Sequence, residues 1–163
     1  MTLKSSPAKA PKDLSEINER YGPLQFSSDL GLHWPKAPDY IRPWSVPNVV
    51  KITYAGKPVY RIFCNKDVHE PLTAVFDELI AKGLHTQLKT FDGCFNVRWV
   101  RGVPGVASIH SWGLAFDFNA QENGLGMTPK WTPDFVAVWK DKGFTWGGDF
   151  KRIDGMHFQW CTI

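Results

Sequence analysis

Apolar positions recur with two different periods along the chain, and each period predicts its own kind of element. From Pro71 to Lys82, the residues Leu72, Val75, Phe76, Leu79 and Ile80 fall at i, i+3, i+4, i+7 and i+8. That spacing lays one apolar stripe along a helix. Pro71 suits its first turn and Gly83 the position just past its end. A second helix is predicted over Pro133 to Lys142, with Thr132 as N-cap, Gly143 as stop, and Phe135, Val136, Val138 and Trp139 on its apolar side. A shorter one is predicted from Leu14 to Tyr21, capped by Ser15 and ended by Gly22-Pro23.

Elsewhere the period is two. Leu114 to Asn119 alternates cleanly, with Leu114, Phe116 and Phe118 on one side and Ala115, Asp117 and Asn119 on the other. Met156 to Cys161 alternates in the same way, so His157 lies opposite Met156, Phe158 and Trp160. Cys94 to Val100 reads as a further strand, and Val49–Tyr54 with Val59–Phe63 as a hairpin turning at Ala55–Pro58. Leu24 to Pro47 mixes prolines and aromatics with polar residues and is expected to be irregular but packed. Helices and strands are segregated, so the expected fold is α+β, a single domain with a mainly antiparallel sheet and flanking helices. Residues 1–13 are expected to form a flexible tail and 14–163 the domain, without internal repeats or a separate binding domain.

Composition narrows the class. The 163 residues are 43% hydrophobic and 21% charged, which excludes a disordered, collagen-like or coiled-coil chain. No run approaches the roughly 18–20 apolar residues that span a bilayer, and Met1–Lys12 carries no apolar signal core. The net charge of +3 is not gathered into basic blocks, so no nucleic-acid tail is expected. Its ordinary reading is a solvated surface, and weak attraction to anionic polymers, bacterial wall material included, is the alternative it leaves open. Cys64, Cys94 and Cys161 are odd in number and widely spaced, which predicts reduced buried thiols rather than a disulfide framework.

Candidate chemistry lies in two runs, Ser108 to Asp117 and Asp154 to His157. Asp117 and His157 both point off the apolar sides of their strands. If those strands are neighbours, the two side chains meet on one sheet face. His110 precedes Asp117 by seven, with Gly113 between them for the turn. Two imidazoles and a carboxylate suffice for a catalytic zinc, which keeps its fourth position for water. Asp154, three residues before His157, is the available proton acceptor, provided the chain turns at Gly155. A histidine in a half-apolar strand also serves as an ordinary hydrogen-bonded residue, and spacing alone does not separate these readings. His33, His69 and His85 have no partner at ligand spacing and are assigned to structure or surface.

Ser108, His110, Gly113, Ala115 and Asp117 together resemble the first zinc motif of the D-alanyl-D-alanine carboxypeptidase and L-alanyl-D-glutamate endopeptidase family. Asp154-Gly155-Met156-His157-Phe158-Gln159 resembles its second motif in the phage-endolysin branch, as does the Trp146-Gly147-Gly148 turn before it. Cys94 to Arg98 resembles the strand that delivers the family's arginine. The resemblance spans about Phe91 to Trp160. It implies one zinc per chain held by His110, Asp117 and His157, with Asp154 as general base. It further implies Arg98 at the scissile carbonyl or a substrate carboxylate, Arg101 being the competing arginine, and Ser108 as a substrate or supporting hydrogen bonder. The implied activity is hydrolysis of the L-alanyl-D-glutamate bond of the peptidoglycan stem peptide. The alternatives are a D-alanyl-D-alanine carboxypeptidase and a non-catalytic zinc-binding recognition module. The expected setting is a monomer, free of nucleic acid and membrane insertion, made in a host bacterial cytoplasm and reaching the wall through a holin-type pore.

Overall fold

The computed structural model describes residues 8–162, and the fold is α+β. The chain begins with α1 (Leu14–Tyr21), β1 (Gln25–Ser27), β2 (Gly31–His33), α2 (Ala37–Tyr40) and β3 (Ile41–Ser45). It continues through β4 (Thr53–Tyr54), β5 (Lys57–Pro58), β6 (Arg61–Asn65), α3 (His69–Ala81) and β7 (Phe91–Gly93). Then come β8 (Trp99–Val100), β9 (Val103–Ala107), β10 (Ala115–Phe118), α4 (Ala120–Asn123), α5 (Pro133–Asp141), β11 (Thr145–Trp146) and β12 (His157–Gln159). Four strands form the central antiparallel sheet in the order β11-β12-β10-β7, and the other strands pair in two-stranded ribbons.

The two faces of β10 do different work. Phe116 and Phe118 face α3 and α5, where Phe118 meets Phe76 at 6.2 Å between centroids and Trp139 at 5.8 Å. On β12, Phe158 stacks on Trp139 at 4.4 Å. These rings are fully buried, and each removes enough apolar area from water to contribute about 1.5–3 kcal/mol. The opposite face of both strands carries Asp117, His157 and Gln159. The core therefore fixes the strands from below and leaves their polar side chains to build a site above.

Several local expectations are corrected. The cap of α1 is Asp13, whose carboxylate accepts from the Glu16 N–H at 2.8 Å, and not Ser15. Residues 1–7 of the expected tail lie outside the described residues. From Lys9 onward the stretch is fastened: the Lys9 carbonyl accepts from Arg20, and the Pro11 and Lys12 carbonyls accept from Thr162. The helix α3 starts at His69, earlier than Pro71, because Asn65 caps a short 3-10 turn that leads into it.

The hairpin expected at 49–63 shrinks to β4 and β5. The second half of that segment, β6, pairs instead with β3, placing Trp44 opposite Ile62. This non-local pairing buries Trp44, Ile62 and Cys64 together, with Trp44 at 4.8 Å from Phe76. A local hairpin could not reach that helix. For the same reason Leu24–Pro47 is not irregular but contains β1, β2, α2 and β3. Cys94–Arg98 is not a strand either. Its backbone groups bond to a 3-10 turn, Asn96 N–H to the His110 carbonyl at 3.1 Å and Arg98 N–H to Ser111 Oγ at 3.1 Å, so no ladder forms.

Candidate metal centre

Strand register brings the first two residues of the site together. β10 and β12 run antiparallel with Asp117 directly opposite His157, so their side chains leave the same face at the same level. His110 arrives differently. It lies on a 3-10 turn, Ile109–Trp112, and not on a strand. Ser108 caps that turn through its hydroxyl, which accepts from the His110 N–H at 3.3 Å. Gly113 then reverses the chain into β10 with φ 66. A Cβ there would stand 2.6 Å from Ile41 Cδ1 and 2.9 Å from the Asn65 backbone nitrogen, so only glycine lets the turn pack this tightly.

The result is a compact cluster. One ligand atom from each of His110, Asp117 and His157 lies within 4.8 Å of the others, and the group could hold a metal ion. Asp117 Oδ2 is 3.1 Å from His110 Nε2, and Oδ1 is 3.3 Å from His157 Nδ1. His110 Nε2 and Asp117 Oδ1 are nevertheless buried without a hydrogen-bond partner. Buried polar atoms in that state cost free energy unless something else satisfies them. A cation between them would do so.

The outer ring nitrogens are already committed. His110 Nδ1 is 2.7 Å from the Cys94 carbonyl, and His157 Nε2 is 2.9 Å from Gln159 Oε1. With a cation in the cluster, each acceptor can hold its ring's proton and leave the nitrogen that faces Asp117 to ligate the ion. The two histidines thus present opposite nitrogens, Nε2 and Nδ1, to one point. Burial alone would push the Asp117 carboxyl up, but the two imidazoles outweigh it and hold the group ionised far below the usual carboxylate range. Burial likewise disfavours charge on His157, and contact with Asp117 overcomes it, raising that group.

Asp154 stands beside the cluster without joining it. Its Oδ2 is 4.0 Å from His157 Nδ1 and its Oδ1 is a buried atom without a partner. The turn at Gly155 places it there. The His157 N–H donates to the Asp154 carbonyl, and the Gly155 carbonyl takes both the Trp131 and Trp146 indole N–H groups at 2.8 Å. Gly147 receives the Asp154 N–H at 2.9 Å, and a Cβ at Gly147 would collide with the Asp154 carbonyl. Burial first, and the charge of Asp117 with it, push the Asp154 carboxyl above its ordinary value, against the pull of His157. Raised basicity of this kind suits a proton acceptor working nearer neutral pH.

The cluster forms one wall of a cleft of about 210 Å³, which Arg98, Arg101, Ser108 and Asp154 also line. Arg98 is anchored on both sides by Ser111, whose Oγ accepts from the Arg98 N–H and donates to its carbonyl at 3.1 Å. Arg101 is exposed near the tip of the β8–β9 hairpin. Two contributors have no role assigned from the sequence: Arg152, and Gln159, which there only ends the second motif. Gln159 was legible in principle, since it lies two residues after His157 on one strand face. Arg152 carried no signal. His69 sits away from the cleft, with Nε2 3.2 Å from the Arg42 carbonyl, beside Cys64, whose thiol is lowered to about 7 chiefly by contact with Cys94. All three cysteines are buried.

No curated protein and no solved structure matched the chain. Residues 101–160 match the model of a peptidase M15 family described as D-alanyl-D-alanine carboxypeptidase, a segment that holds His110, Asp117, Asp154 and His157 but not Arg98.

Proposed function

We propose that the protein is a zinc-dependent peptidoglycan peptidase that hydrolyses the L-alanyl-D-glutamate bond of the stem peptide. The observation that carries the reading is the pair of buried, partnerless atoms, His110 Nε2 and Asp117 Oδ1, with the basic carboxylate of Asp154 beside them in a cleft. The donor set of two imidazole nitrogens and one carboxylate fits zinc with one position to spare. Zinc, when bound, supplies Lewis-acid polarisation of a carbonyl and lowers the pKa of water to about 7.

The chain's own residues do the rest. His110, Asp117 and His157 would hold the ion. Asp154 takes the proton of the attacking water and returns it to the leaving amine. Arg98, fixed by Ser111, donates to the carbonyl oxygen as negative charge develops there. Ser108 keeps the His110 turn in place and offers a polar contact at the cleft wall. A non-catalytic zinc module has no use for a carboxylate placed like Asp154, which counts against that alternative.

The family description favours a second reading, removal of terminal D-alanine. Mass spectrometry of fragments released from purified peptidoglycan separates the two. Free L-alanyl ends with matching D-glutamyl amino ends support the endopeptidase; free D-alanine without them supports the carboxypeptidase; no release by zinc-loaded protein overturns both. The endolysin setting, in which the enzyme acts as a monomer and reaches the wall through a holin-type pore, belongs to the first reading. Among the described residues no helix is long and apolar enough to cross a membrane.

A further inference from the structure

The cleft carries more positive charge than hydrolysis requires. Arg98, Arg101 and Arg152 all line it, against the carboxylates Asp117 and Asp154. Among the described residues, none of the three arginines is ion-paired with a carboxylate. Arg98 donates one N–H to the Trp99 carbonyl at 3.1 Å. Arg152, on the exposed stretch before Asp154, donates an Nη1–H to the Arg101 carbonyl. A Cβ built at Gly102 would lie 3.8 Å from that same Nη1, so the guanidinium rests on the tip of the β8–β9 hairpin. That bond uses one of its five N–H donors.

A single unpaired arginine on a solvated surface means little. Three around one cleft raise its potential and favour an anionic ligand. The guanidinium fork also matches a carboxylate with two parallel hydrogen bonds. Peptide hydrolysis needs a donor at the carbonyl oxygen, and Arg98 fills that role. Arg101 and Arg152 remain.

We infer that Arg101 and Arg152 form a clamp for a free carboxylate beside the scissile bond, so that the preferred substrate is an acidic peptide. The inference rests on the function proposed above. In that substrate the carboxylate is the α-carboxylate of the D-glutamyl residue, which stays free because the stem continues through the side-chain carboxyl. Arg152 contributes donors itself and, through the Arg101 carbonyl, sets where the hairpin tip stands.

The test uses the zinc-loaded full chain and the leaving-group peptide γ-D-glutamyl-L-lysine amide, which lacks the bond to be cut. Its affinity by titration calorimetry is compared with that of the same peptide bearing an α-carboxamide. The free acid should bind about tenfold to a hundredfold more tightly, as a charge-assisted pair implies. Added salt should shrink the preference. Arg152→Ala and Arg101→Gln should each compress it to about twofold or less, and Arg152→Lys should keep part of it. Both positions are exposed, and circular dichroism verifies that the variants are folded. Equal binding of acid and amide by the unaltered protein, no binding of either, or a preference that survives both substitutions overturns the clamp. Cleavage of whole stem peptides, followed in parallel by mass spectrometry, keeps the two failures apart. Cutting at alanyl-glutamate with no preference for the acid rejects the clamp alone; preference without cutting rejects the function alone.

Discussion

Gln159 holds His157 from the same strand face: its Oε1 lies 2.9 Å from Nε2, while His157 Nδ1 lies 3.3 Å from Asp117. Gln159→Leu should leave the strand in place but free the ring to choose the other tautomer. Loss of such an orienting partner costs about tenfold to a hundredfold in metal affinity. Competition with a chromogenic chelator measures it, and unchanged affinity would mean that the ring is oriented by packing alone, for example by Phe150, whose ring lies 5.8 Å away.

Zinc content should be one ion per chain, with ligand distances of about 2.0–2.2 Å by X-ray absorption. His110→Ala and His157→Ala should each lose both metal and peptidase activity. Full occupancy and activity in either variant would sink the site.

The two aspartates should separate in a metal assay and agree in an activity assay. Asp154→Asn keeps the shape but cannot accept a proton, so activity should fall by about 10²–10⁴-fold with zinc retained. Asp117→Asn should release zinc first, because it removes the formal charge next to the ion. If Asp154→Asn loses zinc and Asp117→Asn keeps it, the roles are reversed.

Metal removal should lower the melting temperature without unfolding the chain. The helix face of the sheet buries Phe116, Phe118, Phe158 and Trp139 without any help from the cluster. Binding to the native state alone stabilises by about 2.7 kcal/mol at a hundredfold excess over Kd. Native circular dichroism in a chelator, with a lowered midpoint, is the expected result, and collapse of the spectrum would make the ion structural.

The metal-free protein should also show a pH signature of Asp154. Its folded pKa is raised by burial, so its favourable contribution is present below the unfolded value of about 3.9 and is lost as pH rises through the folded value. Metal-free Asp154→Asn should therefore melt higher than the unaltered protein at neutral pH. The gap should close as pH falls below the ordinary carboxylate range. Thermal melts of the two proteins in chelator across that range check the sign, and a constant gap would show that charge on Asp154 is not its origin.

Local pattern was enough to determine a good part of this protein. The stripe Leu72, Val75, Phe76, Leu79 is buried as its spacing requires, and so is that of Phe135, Val136, Val138 and Trp139. Period-two parity put Asp117 and His157 off the apolar faces of their strands, because a pleated strand alternates regardless of its neighbours. What parity could not supply was pairing. That Asp117 sits opposite His157, and that Trp44 pairs with Ile62 rather than closing a local hairpin, depends on which distant segments bury each other best. The same holds for the groups that tune the centre. The Cys94 carbonyl under His110, the Gly147 carbonyl under Asp154 and the Arg152 bridge to the hairpin tip are contacts of backbone atoms, which every residue carries alike. No side-chain pattern encodes them, so only the folded chain decides where they fall.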